Sequence, residues 1–130
     1  MSSSALGRTL IDDFAKGWSK ANLDLLMAVF TEEAVFIETP FVPRLTGTAA
    51  IRRWWADVPY YQSEITVTTG EIFVAGPWFS TEFKAVFRRR RTGDWVEAKG
   101  AIFCETDGSR ISEMRMYWHR AASNPDSGVR

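Results

Sequence analysis

The chain opens with helical spacing and closes with strand spacing. From Arg8 to Lys20 the large apolar residues Leu10, Phe14 and Trp18 recur every four positions, with Asp12, Asp13 and Lys16 off that stripe. This pattern predicts an amphipathic helix. Asn22 is placed to cap a second helix running to about Phe30, with Asp24 in its first turn and Leu23, Leu26, Met27 and Phe30 facing inward. Ala34 to Glu38 has the β-branched and aromatic content of a short strand, which Thr39-Pro40 closes. A third helix is predicted from about Ala49 to Asp57, capped by Thr46 or Thr48, carrying Ile51, Trp54 and Trp55, and ending before Pro59.

Beyond Pro59 the period falls from about four to two. Ser63 to Thr69, Glu71 to Ala75, Trp78 to Arg90, Asp94 to Glu105 and Arg110 to Arg120 read as strands. They are separated by Gly70, Gly76-Pro77, Thr92-Gly93 and Asp107-Gly108, the turn residues of an antiparallel meander. Helices first and hairpins after argue for an α+β domain with three helices packed on one face of a curved sheet. The domain is expected over residues 8–120. Residues 1–7 and 121–130 are small, polar and rich in Ser, Gly and Pro, as flexible ends are.

Composition sharpens this picture at two points. The 130 residues suit one domain, but an aromatic share of 14% with six tryptophans exceeds what a plain core needs, and predicts a cavity or a dimer surface. Basic and acidic residues balance at 16 each, so no long-range field favours nucleic acid or an anionic membrane. Cys104 is the single cysteine, no stretch suits a bilayer, and the first residues lack a signal-peptide pattern, so a cytoplasmic protein is expected. There is no metal-ligand spacing, glycine-rich phosphate loop or serine elbow, so cofactor-free binding is the economical expectation. The run Arg88 to Arg91 reads as a solvated hairpin tip.

Three segments carry a family resemblance. Phe30-Thr-Glu-Glu-Ala-Val-Phe-Ile-Glu-Thr-Pro40, then Gly47-Thr-Ala-Ala-Ile-Arg-Arg-Trp-Trp55, resembles the ketosteroid isomerase and SnoaL-like pattern of an acidic strand ending in proline before a Gly-capped helix. Asp107-Gly-Ser-Arg-Ile-Ser-Glu-Met-Arg-Met-Tyr-Trp118 resembles the last hairpin of that superfamily, the nuclear transport factor 2-like cone. The resemblance implies three helices closing over a strongly curved, mixed-edge antiparallel sheet to form a cone-shaped pocket. Such folds host isomerases, cyclases, dehydratases, epoxide hydrolases and binding modules, so fold alone does not name a reaction.

The family's catalytic positions are changed here. Its oxyanion tyrosine falls at Phe14, its protonated aspartate near Ala101, its catalytic aspartate at Thr39 and the last-strand acid of the hydrolases and cyclases at about Met116. Glu97 and Lys99, two apart on one strand, could imitate the rest of the hydrolase trio, but with Met116 in the third place the trio is incomplete and the hydrolase activity is not carried over. Glu38 is the nearest base, either a solvated strand-end carboxylate or a buried one of raised proton affinity. His119 is a second acid-base candidate, or a structural histidine. Alternation puts Met114, Met116 and Trp118 on the pocket wall with Phe14, Trp18, Trp54 and Trp55, and the resemblance adds Lys99 and Ala101. Alternation also puts Glu113, Arg115, Tyr117 and His119 on the opposite face, and Glu82 and Lys84 opposite Phe83, Ala85 and Phe87. The expected partner is a small hydrophobic molecule. Folds of this type commonly pair through their sheets, so a homodimer is expected on the face of Arg115 and Tyr117.

Overall fold

The computed structural model describes residues 3–123. Helix α1 (Ser3–Ser19) buries Gly7, Leu10, Ile11, Phe14, Gly17 and Trp18. It begins before the expected Arg8 because Leu6 and Gly7 extend the same apolar stripe onto Ile72 and Phe79. Ala21 ends it in the left-handed region at φ 50°, with Ala21 N–H donating to Trp18 O at 3.0 Å and Asn22 N–H to Gly17 O at 2.8 Å. Those are the two bonds of a Schellman cap. Helix α2 (Leu23–Met27) follows at once, and Asn22 caps it by accepting the Leu25 N–H at 3.1 Å. α2 stops short of the expected Phe30 because that residue already belongs to strand β1 (Phe30–Ile37). There the backbone is held by the last strand, Ile111 N–H donating to Val29 O at 2.7 Å.

A two-residue strand, β2 (Leu45–Thr46), folds back on β1 and leads into α3 (Thr48–Trp55). Gly47 is the cap of α3, not Thr46 or Thr48, and no side chain bonds there. The turn is held by Gly47 N–H donating to Ala34 O at 2.8 Å. Pro59 does not simply end α3: it sits in the first turn of a one-turn helix, α4 (Val58–Tyr61), where a missing N–H costs nothing.

The sheet strands are β3 (Gln62–Thr69), β4 (Phe73–Ala75), β5 (Trp78–Arg89), β6 (Trp95–Thr106) and β7 (Ile111–Ala122). Their order is β2-β1-β7-β6-β5-β3, with β4 also on β5. β1 runs parallel to β7 and the other pairs are antiparallel, so the sheet is mixed and open. One feature departs from a simple meander. β3 and β4 are not hairpin partners across Gly70, since both pair with β5 in one direction, Thr69 opposite Phe83 and Phe73 opposite Ser80. The stretch between them is an interruption in a single edge. The ends differ from expectation too: Ser3 to Gly7 is helical and Ala121 and Ala122 complete β7, while residues 124–130 of the expected tail lie outside the described residues.

The helices cover the concave face. Phe83, Ala85, Val96, Ala98, Ile102, Cys104, Met114 and Met116 point into the core with Phe14, Phe36 and Ile51. Among the described residues no helix is long and apolar enough to cross a membrane.

Candidate functional site

One end of this core is not filled. A hollow of about 190 Å³ lies between α1, α3, α4 and the concave sheet. Its wall includes four indoles, Trp18, Trp54, Trp55 and Trp118, with Phe83, Phe87 and Met116. Near-perpendicular ring contacts keep the indoles apart from full stacking: Trp18 to Trp55 at 5.3 Å and 72°, Trp54 to Trp55 at 5.0 Å and 75°.

Two indole N–H groups are fixed by the fold. Trp18 Nε1 donates to Gln62 Oε1 at 3.1 Å, and Trp118 Nε1 donates to the Glu38 carbonyl at 3.0 Å. A third is not. Trp55 is 2% exposed and its indole N–H is buried without a hydrogen-bond partner among the described residues.

Glu38 follows the last residue of β1 and lines the hollow; Thr39 does not. Removal from water raises the Glu38 carboxyl above its ordinary 4.5, and the positive charge of Arg120 partly offsets this. Glu38 is half-buried and Arg120 exposed, so these opposite charges mark the open side of the hollow.

Of the residues expected at the site, the fold brings Glu38, Trp18, Trp54, Trp55, Met116 and Trp118 together around one space. Phe14 and Met114 are fully buried in the core and do not line it. Lys99 and Ala101 are on the wrong face. The inward residues of β6 are Val96, Ala98, Ile102 and Cys104, so the odd-numbered positions point outward. Lys99 sits on the convex surface with Glu97 between it and Lys84, at 3.9 and 3.8 Å. The outward Glu97–Lys99 pair therefore cannot mimic a water-activating trio in the hollow. His119, expected as an acid-base group, faces outward for the same reason: it follows the inward Trp118, pairs across from Lys99 and is exposed on the convex side. Its imidazole does not reach the hollow.

Sequence reasoning missed Gln62, Val58, Phe83, Phe87, Val96, Ala98 and Arg120. Phe83, Phe87 and Arg120 carried a signal, since each shares strand parity with residues expected inside. Gln62 carried none, lying between a helix and strand that were not predicted to meet. The basic hairpin tip is partly tied down: Arg88 pairs with Glu64 at 3.5 Å and Arg90 donates to Pro59 O at 2.8 Å. Among the described residues no group of three His, Cys, Asp or Glu side chains is placed to hold a metal ion.

The pattern of the SnoaL-like domain matches residues 11–114. No functionally curated protein matches the chain. Solved structures do. SalBIII, an epoxide hydrolase/cyclase-like enzyme of pyran ring formation in polyether salinomycin, has 16% identity, covering 95% of this chain and 100% of its own, at a TM-score of 0.81. An epoxide hydrolase of the LEH-like type from M. tuberculosis has 16% identity, 91% and 86% coverage and a TM-score of 0.76. A protein with a ketosteroid isomerase-like fold from Catenulispora acidiphila DSM 44928, in complex with trimethylamine, has 18% identity, 83% coverage of each chain and a TM-score of 0.75. At these identities the likeness is one of fold.

Proposed function

The chain belongs to the SnoaL-like domain family, and on that premise we propose that it binds one small, largely apolar molecule in the aromatic hollow and moves a proton on it through Glu38. The observation that carries this reading is a half-buried carboxyl at the lip of a largely aromatic space, where removal from water raises its pKa. A carboxyl raised by desolvation holds its proton closer to neutral pH, which improves it as a general acid and as a base. The indole wall excludes water from the reacting bond. The chemistry is of isomerase, cyclase or dehydratase type and needs no cofactor. The epoxide hydrolase and cyclase names among the structural neighbours support a substrate with an ether-type ring oxygen.

The test is turnover of an identified substrate by Glu38→Gln. A fall of about 10²–10⁴ with binding retained is expected. Unchanged turnover would remove proton transfer by Glu38 and favour a non-catalytic binding module, whose ligand leaves unaltered.

A second reading concerns assembly. Phe103 and Tyr117 are 41% and 43% exposed on the convex face, in edge contact at 5.7 Å, beside Arg115 lying 5.1 Å over the Trp78 ring. Such an aromatic patch supports a homodimer formed through the sheet. A monomer by sedimentation at micromolar concentration, with no effect of Arg115→Glu on the sedimentation coefficient, would dismiss it. The cytoplasm is the proposed location, supported by the chain's single cysteine, Cys104, being free. Secretion of the tagged chain would refute that.

A further inference from the structure

We propose that Gln62 sets the specificity of the hollow, presenting a fixed amide donor to a neutral, single-ring-sized molecule that carries a ketone- or ether-type oxygen. The proposal rests on the reading of the hollow as a small-molecule site and adds the chemistry of its guest.

Size comes first. An apolar cavity of about 150 Å³ holds benzene, so a hollow of about 190 Å³ takes one ring with a short substituent. A fused four-ring skeleton exceeds it.

Polarity comes next. An indole nitrogen can only donate, so the Gln62 atom facing Trp18 Nε1 at 3.1 Å must be the amide oxygen. That contact fixes the flip of the amide and leaves its NH₂ group as the free end. Gln62 lines the hollow and, among the described residues, its Nε2 meets no acceptor. The buried indole N–H of Trp55, another lining residue, also lacks one. Apart from the Glu38 carboxyl at the lip, the wall offers these donors no free acceptor, and the buried Trp55 N–H is left unpaired at a cost in stability. A guest oxygen would relieve that cost.

Charge completes the case. The ionisable groups lining the hollow are Glu38 and Arg120, of opposite sign, so the space has no excess charge to recognise an ion. Gln62 and Glu38 enter from opposite ends of the sheet, β3 and β1, with β5, β6 and β7 between them.

The experiment compares cyclohexanone with methylenecyclohexane, its hydrocarbon isostere, by quenching of tryptophan fluorescence in the full chain. Gln62→Leu is expected to weaken cyclohexanone about three- to tenfold relative to the hydrocarbon, the loss of one neutral hydrogen bond. Gln62→Glu, ionised in the assay at about pH 8, can still accept from Trp18 but has no donor, so it should lose the same preference with the inter-element contact kept. Trp18→Phe frees the amide to flip and should reduce the preference with Gln62 still present. An unchanged ketone-to-hydrocarbon ratio in Gln62→Leu and Gln62→Glu, both folded by thermal unfolding, overturns the proposal and leaves the hollow as a binding site. A steroid ketone bound as tightly as cyclohexanone overturns the size argument. Failure of both rings to bind the wild-type chain overturns the binding-site reading itself, and this inference with it.

Discussion

Gly100 is the position where a single methyl group should do most damage. A Cβ built there would stand 1.8 Å from the Tyr117 carbonyl oxygen and 2.7 Å from Trp118 Cα. These are backbone atoms of the paired strand, so no rotamer change relieves the contact, and β6 and β7 must move apart there. Overpacking a well-packed site costs about 1–3 kcal/mol, and a clash with backbone argues for the upper end. An unfolding entropy of about 2.1 cal/mol/K per residue over 130 residues gives about 0.27 kcal/mol/K, so Gly100→Ala should lower Tm by about 11 °C. The same displacement would carry Trp118 away from the Glu38 carbonyl and blunt ligand quenching. The assay is calorimetric unfolding beside Gly70→Ala, whose added Cβ would meet nothing nearer than 3.8 Å. Gly70→Ala should unfold within about 1 kcal/mol of wild type. If Gly100→Ala melts with Gly70→Ala, the close strand contact is not what Gly100 provides.

Further predictions follow from the core, the cap and the lip of the hollow. Phe14→Ala should cost about 3–5 kcal/mol in denaturant unfolding, because the ring is fully buried and its loss leaves a cavity, whereas a ligand-wall residue would affect binding more than folding. Ala21→Gly should raise the unfolding free energy by about 1 kcal/mol in denaturant titration, since Ala21 sits at φ 50°, where a Cβ is strained. Glu38 has its folded pKa raised, so the folded state binds the extra proton. Stability contributed by the neutral form is present below 4.5 and is lost as pH rises through the folded value. Glu38→Gln should therefore unfold like wild type near about pH 3.5 and be more stable at about pH 8, and an equal difference at both would refute the desolvation argument. In Arg120→Met the Glu38 carboxyl should titrate still higher by NMR, because the offsetting cation is gone.

Local chemistry determined much of this protein. The four-residue stripe of Leu10, Phe14 and Trp18, the Asn22 cap and the alternation from Trp78 to Trp118 each act over a few residues, and the elements they predict form within a few positions of where the pattern puts them. The same parity sets Met116 and Trp118 inward and His119 outward, away from any acid-base role in the hollow. What the chain pattern could not decide was long-range. The parallel pairing of β1 with β7, the continuation of β3 into β4 along one edge and the meeting of Gln62 with Trp18 join residues far apart in sequence. Lys99 and Ala101 lie outside the hollow although the resemblance implies them there, because a one-residue shift in register turns a strand side chain to the other face. A hollow is a volume left by elements that fail to meet, and only their mutual placement reveals what lines it.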